Sequence, residues 1–306
     1  MADSSGLWMT AEMAHTYLAE ICYDAGNMRA ALNHIERAIQ LSRKMGLANR
    51  ELFDLNWMCF FQFVQGNIEE CERLVERGRY LLKLTDSAGS AVLGFHLVEA
   101  VWLYGKREIA QGLELLYDTY EHARQAQNFN FLVLSTQYLV ECLIEEGKWK
   151  EAEQILSKTL QIVGQESGFI FYSFLVRIFS QQNNPGDAHT MLEKARVAAG
   201  PTISFWDQYY LSFAEATLAS REQRWDEAWK HFDNAYGLAA QCGARWYEAL
   251  ILRNRAKILL ERGEADDQSR ARDLLEKTLG LYQKMHLPAW ARLVENRLQE
   301  IPADFK

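Results

Sequence analysis

The things this sequence has little of narrow it before anything it contains. Only 4 of its 306 residues are proline, so long stretches can hold an unbroken helical spacing. No apolar run approaches the roughly 18 residues that a bilayer span needs. The densest, Phe169 to Val176, is interrupted by Ser173 and ends at Arg177, which reads as a buried helix. The first ten residues offer Asp3, two serines and a lone Trp8, with neither the basic nor the apolar region of a secretion signal, so the expected location is cytoplasmic. Basic charge is in deficit: 33 Lys and Arg stand against 41 Asp and Glu, a formal net charge of -8. No net field draws such a chain to phosphate backbones or anionic lipid, and neither nucleic acid nor membrane is an expected partner.

Chemistry-bearing patterns are missing too. The five cysteines, at 22, 59, 71, 142 and 242, form no CxxC and no metal-ligand spacing, and are expected to pack as small hydrophobes. The seven histidines form no HExxH. There is no GxSxG elbow, no GxGxxG phosphate loop and no P-loop. The expectation is a chain with no metal, no cofactor and no catalytic residue: not an enzyme.

An internal repeat is what the sequence has in abundance. Segments around successive turns superpose: AGNMRAALNHIERAI from Ala25, QGNIEECERLVERGR from Gln65, YGKREIAQGLELLYDT from Tyr104, EGKWKEAEQILSKTL from Glu146, NPGDAHTMLEKA from Asn184, EQRWDEAWKHFDNAY from Glu222 and RGEADDQSRARDLLEKTL from Arg262. Each copy runs from a Gly or polar turn to a small residue and then to an apolar residue four positions on. The small residues are Ala31, Cys71, Gly112 (or Ala110), Ala152, Ala188, Ala228 and Ala271, a period of about 40. A glycine such as Gly26 or Gly147 can enter the left-handed conformation and reverse the chain. The small residue then lets two helices approach closely, and Ile35, Val75, Leu156, Leu192, Phe232 and Leu275 fill the seam.

A second set of breaks closes each second helix: Gly46, the stretch from Thr85 to Gly89, Gln127 with Asn128, Gly164 to Gly168, Gly200 with Pro201, Gly243, and His286 to Pro288. The expected fold class is therefore all-α, a right-handed α-solenoid of about seven helical hairpins with a C-terminal capping helix. The repeats run approximately over 10–46, 49–86, 90–127, 129–164, 168–200, 203–243 and 244–286, with the cap over 288–301. Nothing reads as a linker, so residues 1–306 are expected to form a single domain.

The turn-aromatic-x-x-Ala core, as in GKWKEA and RWDEAW, resembles the tetratricopeptide repeat (TPR), with units lengthened beyond that family's usual 34 or so residues. Segments such as CGARWYEALILRNRAKILLERGE and ARDLLEKTLGLYQKMHLPAWARLVENRL look like the repeat arrays of large bacterial signal-transduction ATPases of the STAND type. These are relatives of the maltose-regulon activator and of ATPase-linked cyclases. The resemblance covers nearly the whole chain, and the absence of a P-loop and of a DNA-binding module implies that this is the sensor portion alone. It implies a binding scaffold whose partner is a protein or peptide segment, or a small-molecule inducer, and it leaves self-association open.

In such arrays the first helix of each pair lines the concave face. Counting back from each small residue places Thr16, Glu20, Tyr23 and Asp24 there in pair one, and Asn56, Phe60 and Phe63 in pair two. Pair four gives Gln137, Glu141 and Glu145, pair five Arg177 and Gln181, pair six Tyr210, Phe213 and Arg221, and pair seven Arg253 and Lys257. Acids dominate the N-terminal half of this face and bases the C-terminal half. The expectation is a polarised groove, able to orient an extended peptide or to hold an anionic group near the four bases.

Overall fold

The computed structural model describes residues 2–85, 89–164, 168–199 and 203–301, and of 2–6 the backbone alone. The first helices of the repeats are α1 (Ala2–Asp24), α3 (Ala48–Val64), α5 (Ser90–Gly105), α7 (Phe129–Glu145), α9 (Phe169–Gln181), α11 (Phe205–Arg221) and α13 (Arg245–Arg262). Their partners are α2 (Met28–Met45), α4 (Ile68–Leu82), α6 (Ile109–Gln125), α8 (Trp149–Val163), α10 (Pro185–Ala199), α12 (Trp225–Gln241) and α14 (Asp267–Lys284), followed by α15 (Pro288–Glu300). Among the described residues the chain is all-helical, a TPR-like array of helical hairpins. No described helix is long and apolar enough to cross a membrane. Gly200 and Pro201, read above as a break, lie outside the described residues, as do 86–88 and 165–167 within two other breaks.

The chain falls into two compact units. One holds Met1–Phe63, Asn67–Gly164 and Ser204–Trp206; the other holds Val64–Gly66, Gln165–Ile203 and Asp207–Lys306. In both, the second helices are amphipathic. Helix α2 buries Met28, Ala31, Ile35, Ala38, Ile39 and Ser42, and α12 buries Ala228, Phe232, Ala235 and Ala239, each a single stripe at three- and four-residue spacing. The first helices from α3 to α13 are packed on more of their circumference: α9 buries ten of its 13 residues, which accounts for the dense apolar stretch that starts at Phe169. The small residues of the repeat all meet this packing. Ala31, Cys71, Ala152, Ala188, Ala228 and Ala271 are fully buried. In the third pair Gly112 takes the role and Ala110 is exposed. A Cβ on Gly112 would come within 3.0 Å of the Tyr104 backbone nitrogen, so the helices α5 and α6 approach as closely as a glycine allows.

Glycine is not the only residue that reverses the chain. Gly26 and Gly147 adopt φ of 74° and 73°, but Arg107 (66°), Gln127 (51°), Asn183 (55°), Gln223 (60°) and His286 (56°) occupy the same left-handed region. At Gly147 the next amide, of Lys148, reaches back to the Leu143 carbonyl at 2.8 Å; at Gln223 that of Arg224 reaches Ala219 at 2.9 Å. The helix-end hydrogen-bond pattern is thus conserved whatever the side chain.

Candidate functional site

In the N-terminal unit the first helices enclose a recess of about 560 Å³. Every lining residue comes from α1, α3, α5 or α7, or from the turn that caps α7. Helix α1 supplies Tyr17 and Glu20, one turn apart, and α3 supplies Phe53, Asn56, Trp57 and Phe60. Helix α5 gives Ser90, Gly94, Leu97, Val98 and Val101, and α7 with its cap gives Asn128, Asn130, Phe131, Val133, Leu134 and Tyr138. The walls are aromatic and aliphatic. The rim is polar, with Ser90 and Asn130 exposed and Asn128 donating to the Ser90 hydroxyl at 3.3 Å.

Two polar residues of the lining, Asn56 and Glu20, lie deeper. Asn56 is buried; its Nδ2 donates to the Ala91 carbonyl at 2.9 Å, which fixes the amide's orientation, and its Oδ1 has no hydrogen-bond partner. Gly94 makes room for this, because a Cβ there would fall 2.6 Å from the Asn56 Nδ2. Glu20 is half-buried, and its carboxyl is pushed up to about 7 by burial and by the nearby charge of Asp24; a hydrogen bond from Trp57 works in the opposite direction. Tyr23 lies beside the recess, its ring stacked 5.2 Å from Phe61 and edge-on to Phe60 at 5.3 Å. Glu20, Asn56 and Phe60 are therefore brought together as the register implied. Gln137 and Glu145 are half-buried on α7 and Glu141 is buried there, all three off the recess lining.

Two residues assigned to the N-terminal face belong to the packing instead. Thr16 is 2% exposed and donates to Asp54 Oδ1 at 2.8 Å, where α1 meets α3. Phe63 is buried, its ring 2.5 Å from where a Cβ on Gly105 would stand. Asp54 itself is pushed up to about 8, first by burial and then by the Glu12 carboxylate, while Glu12 is held by Arg50 at 2.6 Å.

Each base assigned to the C-terminal half of the face has a neighbour within its own unit. Arg177 is 4% exposed, with its guanidinium 4.0 Å from the Phe213 ring centre. Phe213 and Tyr210 are core residues, and the Tyr210 hydroxyl lies 3.2 Å from that of Tyr247. Arg221 pairs with Glu261 at 3.0 Å and donates to the Gln181 amide oxygen at 2.5 Å. Arg253 lies over Trp290 at 4.8 Å, and the exposed Lys257 sits 3.9 Å from Glu261.

Sequence reasoning missed Tyr17, Phe53 and Trp57, although they flank Glu20, Asn56 and Phe60 at spacings of one to four residues. It drew nothing from α5, whose Gly94, Leu97 and Val98 have the composition of core.

No protein-family model matches the chain, and a search of curated proteins finds no significant match. Solved structures do resemble it. The apo form of RapI aligns at 13% identity and a TM-score of 0.63, covering 90% of this chain and 98% of that one. A tetratricopeptide repeat protein from Parabacteroides merdae aligns at 14% identity and a TM-score of 0.47, over 94% of this chain and 99% of its own. A Rap protein complexed with Competence and Sporulation Factor aligns at 14% identity and 0.45, over 94% and 73%. The chain shares the TPR-like helical-repeat fold; at these identities the likeness is one of architecture.

Proposed function

We propose that this protein is a non-catalytic binding scaffold that receives a peptide or protein segment in the recess formed by α1, α3, α5 and α7. The observation that carries the reading is the recess itself, an aromatic-walled cavity on the first-helix face with a buried amide oxygen that lacks a donor. A rim of Ser90, Asn128 and Asn130 offers side-chain donors and acceptors of the kind that pair with an extended backbone. The 40-residue repeat and its resemblance to STAND-type arrays further support a role as the sensor part of a cytoplasmic signalling regulator, residues 1–306 working as one array. A second reading has a specific observation behind it: six of the lining residues are aromatic, and a volume near 560 Å³ also suits a compact small-molecule inducer.

The test is selection of random peptides displayed on phage against the full chain, followed by titration of those selected. The Val98→Trp variant fills the recess from its α5 wall, and should abolish binding while the circular dichroism spectrum keeps its helical form. Undiminished binding by the folded variant would remove the recess as the site. Selection of no peptide at all would reject the peptide reading and leave the small-molecule one.

A further inference from the structure

We propose that the recess takes a cationic side chain, a lysine or arginine of the partner peptide, whose nitrogen donors are received by the Glu20 carboxylate against the aromatic walls. This deepens the peptide-binding reading and rests on it.

Two independent features have the same polarity. The first is charge. Of the seventeen residues lining the recess, Glu20 is the one that carries charge, and Asp24 one turn further along α1 adds to the negative potential. The base nearest in sequence to the α3 lining, Arg50, lies 5.2 Å from the Phe53 ring but is held by Glu12 through both Nε and Nη2. The second is the wall. Tyr17, Phe53, Trp57 and Phe60 present π systems, whose negative faces attract ammonium and guanidinium groups and whose area covers an aliphatic stem.

The competing ligand groups fit less well. A carboxylate or phosphate would meet Glu20 and Asp24 with like charge. A purely apolar side chain would bury the Glu20 carboxylate further without supplying it a donor.

Protonation follows from the same arrangement. The charged groups around the lining are Asp24 of α1 and Arg50 of α3; the lining contributed by α5 and α7 is uncharged, with Tyr138 its one titratable group. Glu20 is about half protonated near neutrality, and an arriving cation stabilises its ionised form. Binding should therefore expel a proton, and affinity should climb as pH rises from about 5.5 to about 7.5.

The experiment uses the displayed-peptide selection on the full chain. Peptides whose binding is lost in Val98→Trp should be enriched in Lys or Arg at one position. For the best of them, citrulline in place of arginine, or norleucine in place of lysine, should weaken binding by about ten-fold or more. Glu20→Gln should abolish that difference, while Glu36→Gln on the exposed face of α2 keeps it. Should Glu20→Gln alter the helical spectrum, the unmodified protein decides: the cationic peptide should gain affinity across the stated pH range and the neutral analogue should not. Recess-dependent peptides with no enriched base, or a preference for arginine that survives Glu20→Gln or is flat with pH, would overturn the cation inference and leave the peptide reading standing. A selection that yields no peptide overturns both.

Discussion

The candidate binding residues of the two units stand in different surroundings, although both units pair charges internally, as Glu12 with Arg50 shows on α1 and α3. On α1 and α3 the Glu20 carboxylate has one hydrogen bond, from Trp57, and a like charge beside it, and Asn56 keeps an acceptor unmet. On α9, α11 and α13 the charges are answered from within: Arg177 by the Phe213 ring, Arg221 by Glu261 and Gln181, Arg253 by the Trp290 ring. One repeat pattern thus supports two outcomes. The C-terminal set is the more deeply buried, yet Arg221 Nε is left without a hydrogen-bond partner there just as Asn56 Oδ1 is in the other unit, so the difference lies in exposure around the recess.

The largest effects should separate the two faces. Phe213 is 1% exposed and lies under Arg177, so Phe213→Ala should cost about 3–5 kcal/mol in a urea melt. Tyr17 in the recess is 59% exposed, and Tyr17→Ala should stay within about 0.5 kcal/mol while weakening peptide binding. Equal losses would show that the recess is as much a core as the C-terminal face.

The hairpin seam should behave alike in both units, since Ala152 and Ala228 are each fully buried. Replacing either with Trp should destabilise by about 1–3 kcal/mol or more through overpacking. A neutral result at one position would confine the repeat register to the other unit.

Titration should have opposite signs at the raised and the lowered carboxylates. Glu20 and Asp54 are raised, to about 7 and about 8, so between the ordinary carboxylate values and those points the folded chain holds protons that the unfolded chain has released. Their contribution makes stability fall as pH rises through that window, and Glu20→Gln should flatten part of the fall. Asp267 is lowered, chiefly by its hydrogen bond from Arg262 at 2.7 Å; its contribution is present above the ordinary aspartate value of about 3.9 and lost as pH drops through the depressed one. Urea midpoints measured from acid to neutral pH for Glu20→Gln and Asp267→Asn should change at opposite ends of the range.

The smallest predicted effect concerns the turns. Gln127 and Gln223 hold left-handed backbone that disfavours a Cβ, so Gln127→Gly and Gln223→Gly should each raise stability, by about 0.5–1 kcal/mol. Thermal or urea melts would show it, and a loss at either position would mean that its side chain contributes more than the strain costs.

The sequence by itself determined the array. Helical spacing, a small residue every 40 or so positions and an apolar residue four beyond it are local requirements of two helices in contact, and they can be read from residue order alone. That placed Glu20, Asn56 and Phe60 on one face and located the terminal helix from Pro288. It did not reveal the left-handed turns at Arg107, Gln127, Asn183, Gln223 and His286, because these side chains carry no glycine signature and only the repeat's geometry forces the conformation. Tertiary structure alone decided which polar groups are answered. Whether Arg177 stands free or lies on Phe213 depends on α11 bringing a ring beneath it, and whether Asn56 keeps an open oxygen depends on α5 presenting the Ala91 carbonyl to its nitrogen. Hydrogen bonds and ring contacts between helices some 35 residues apart are set by distances and orientations in space, and these, rather than residue spacing, turn one part of the same repeat into core and another into a recess.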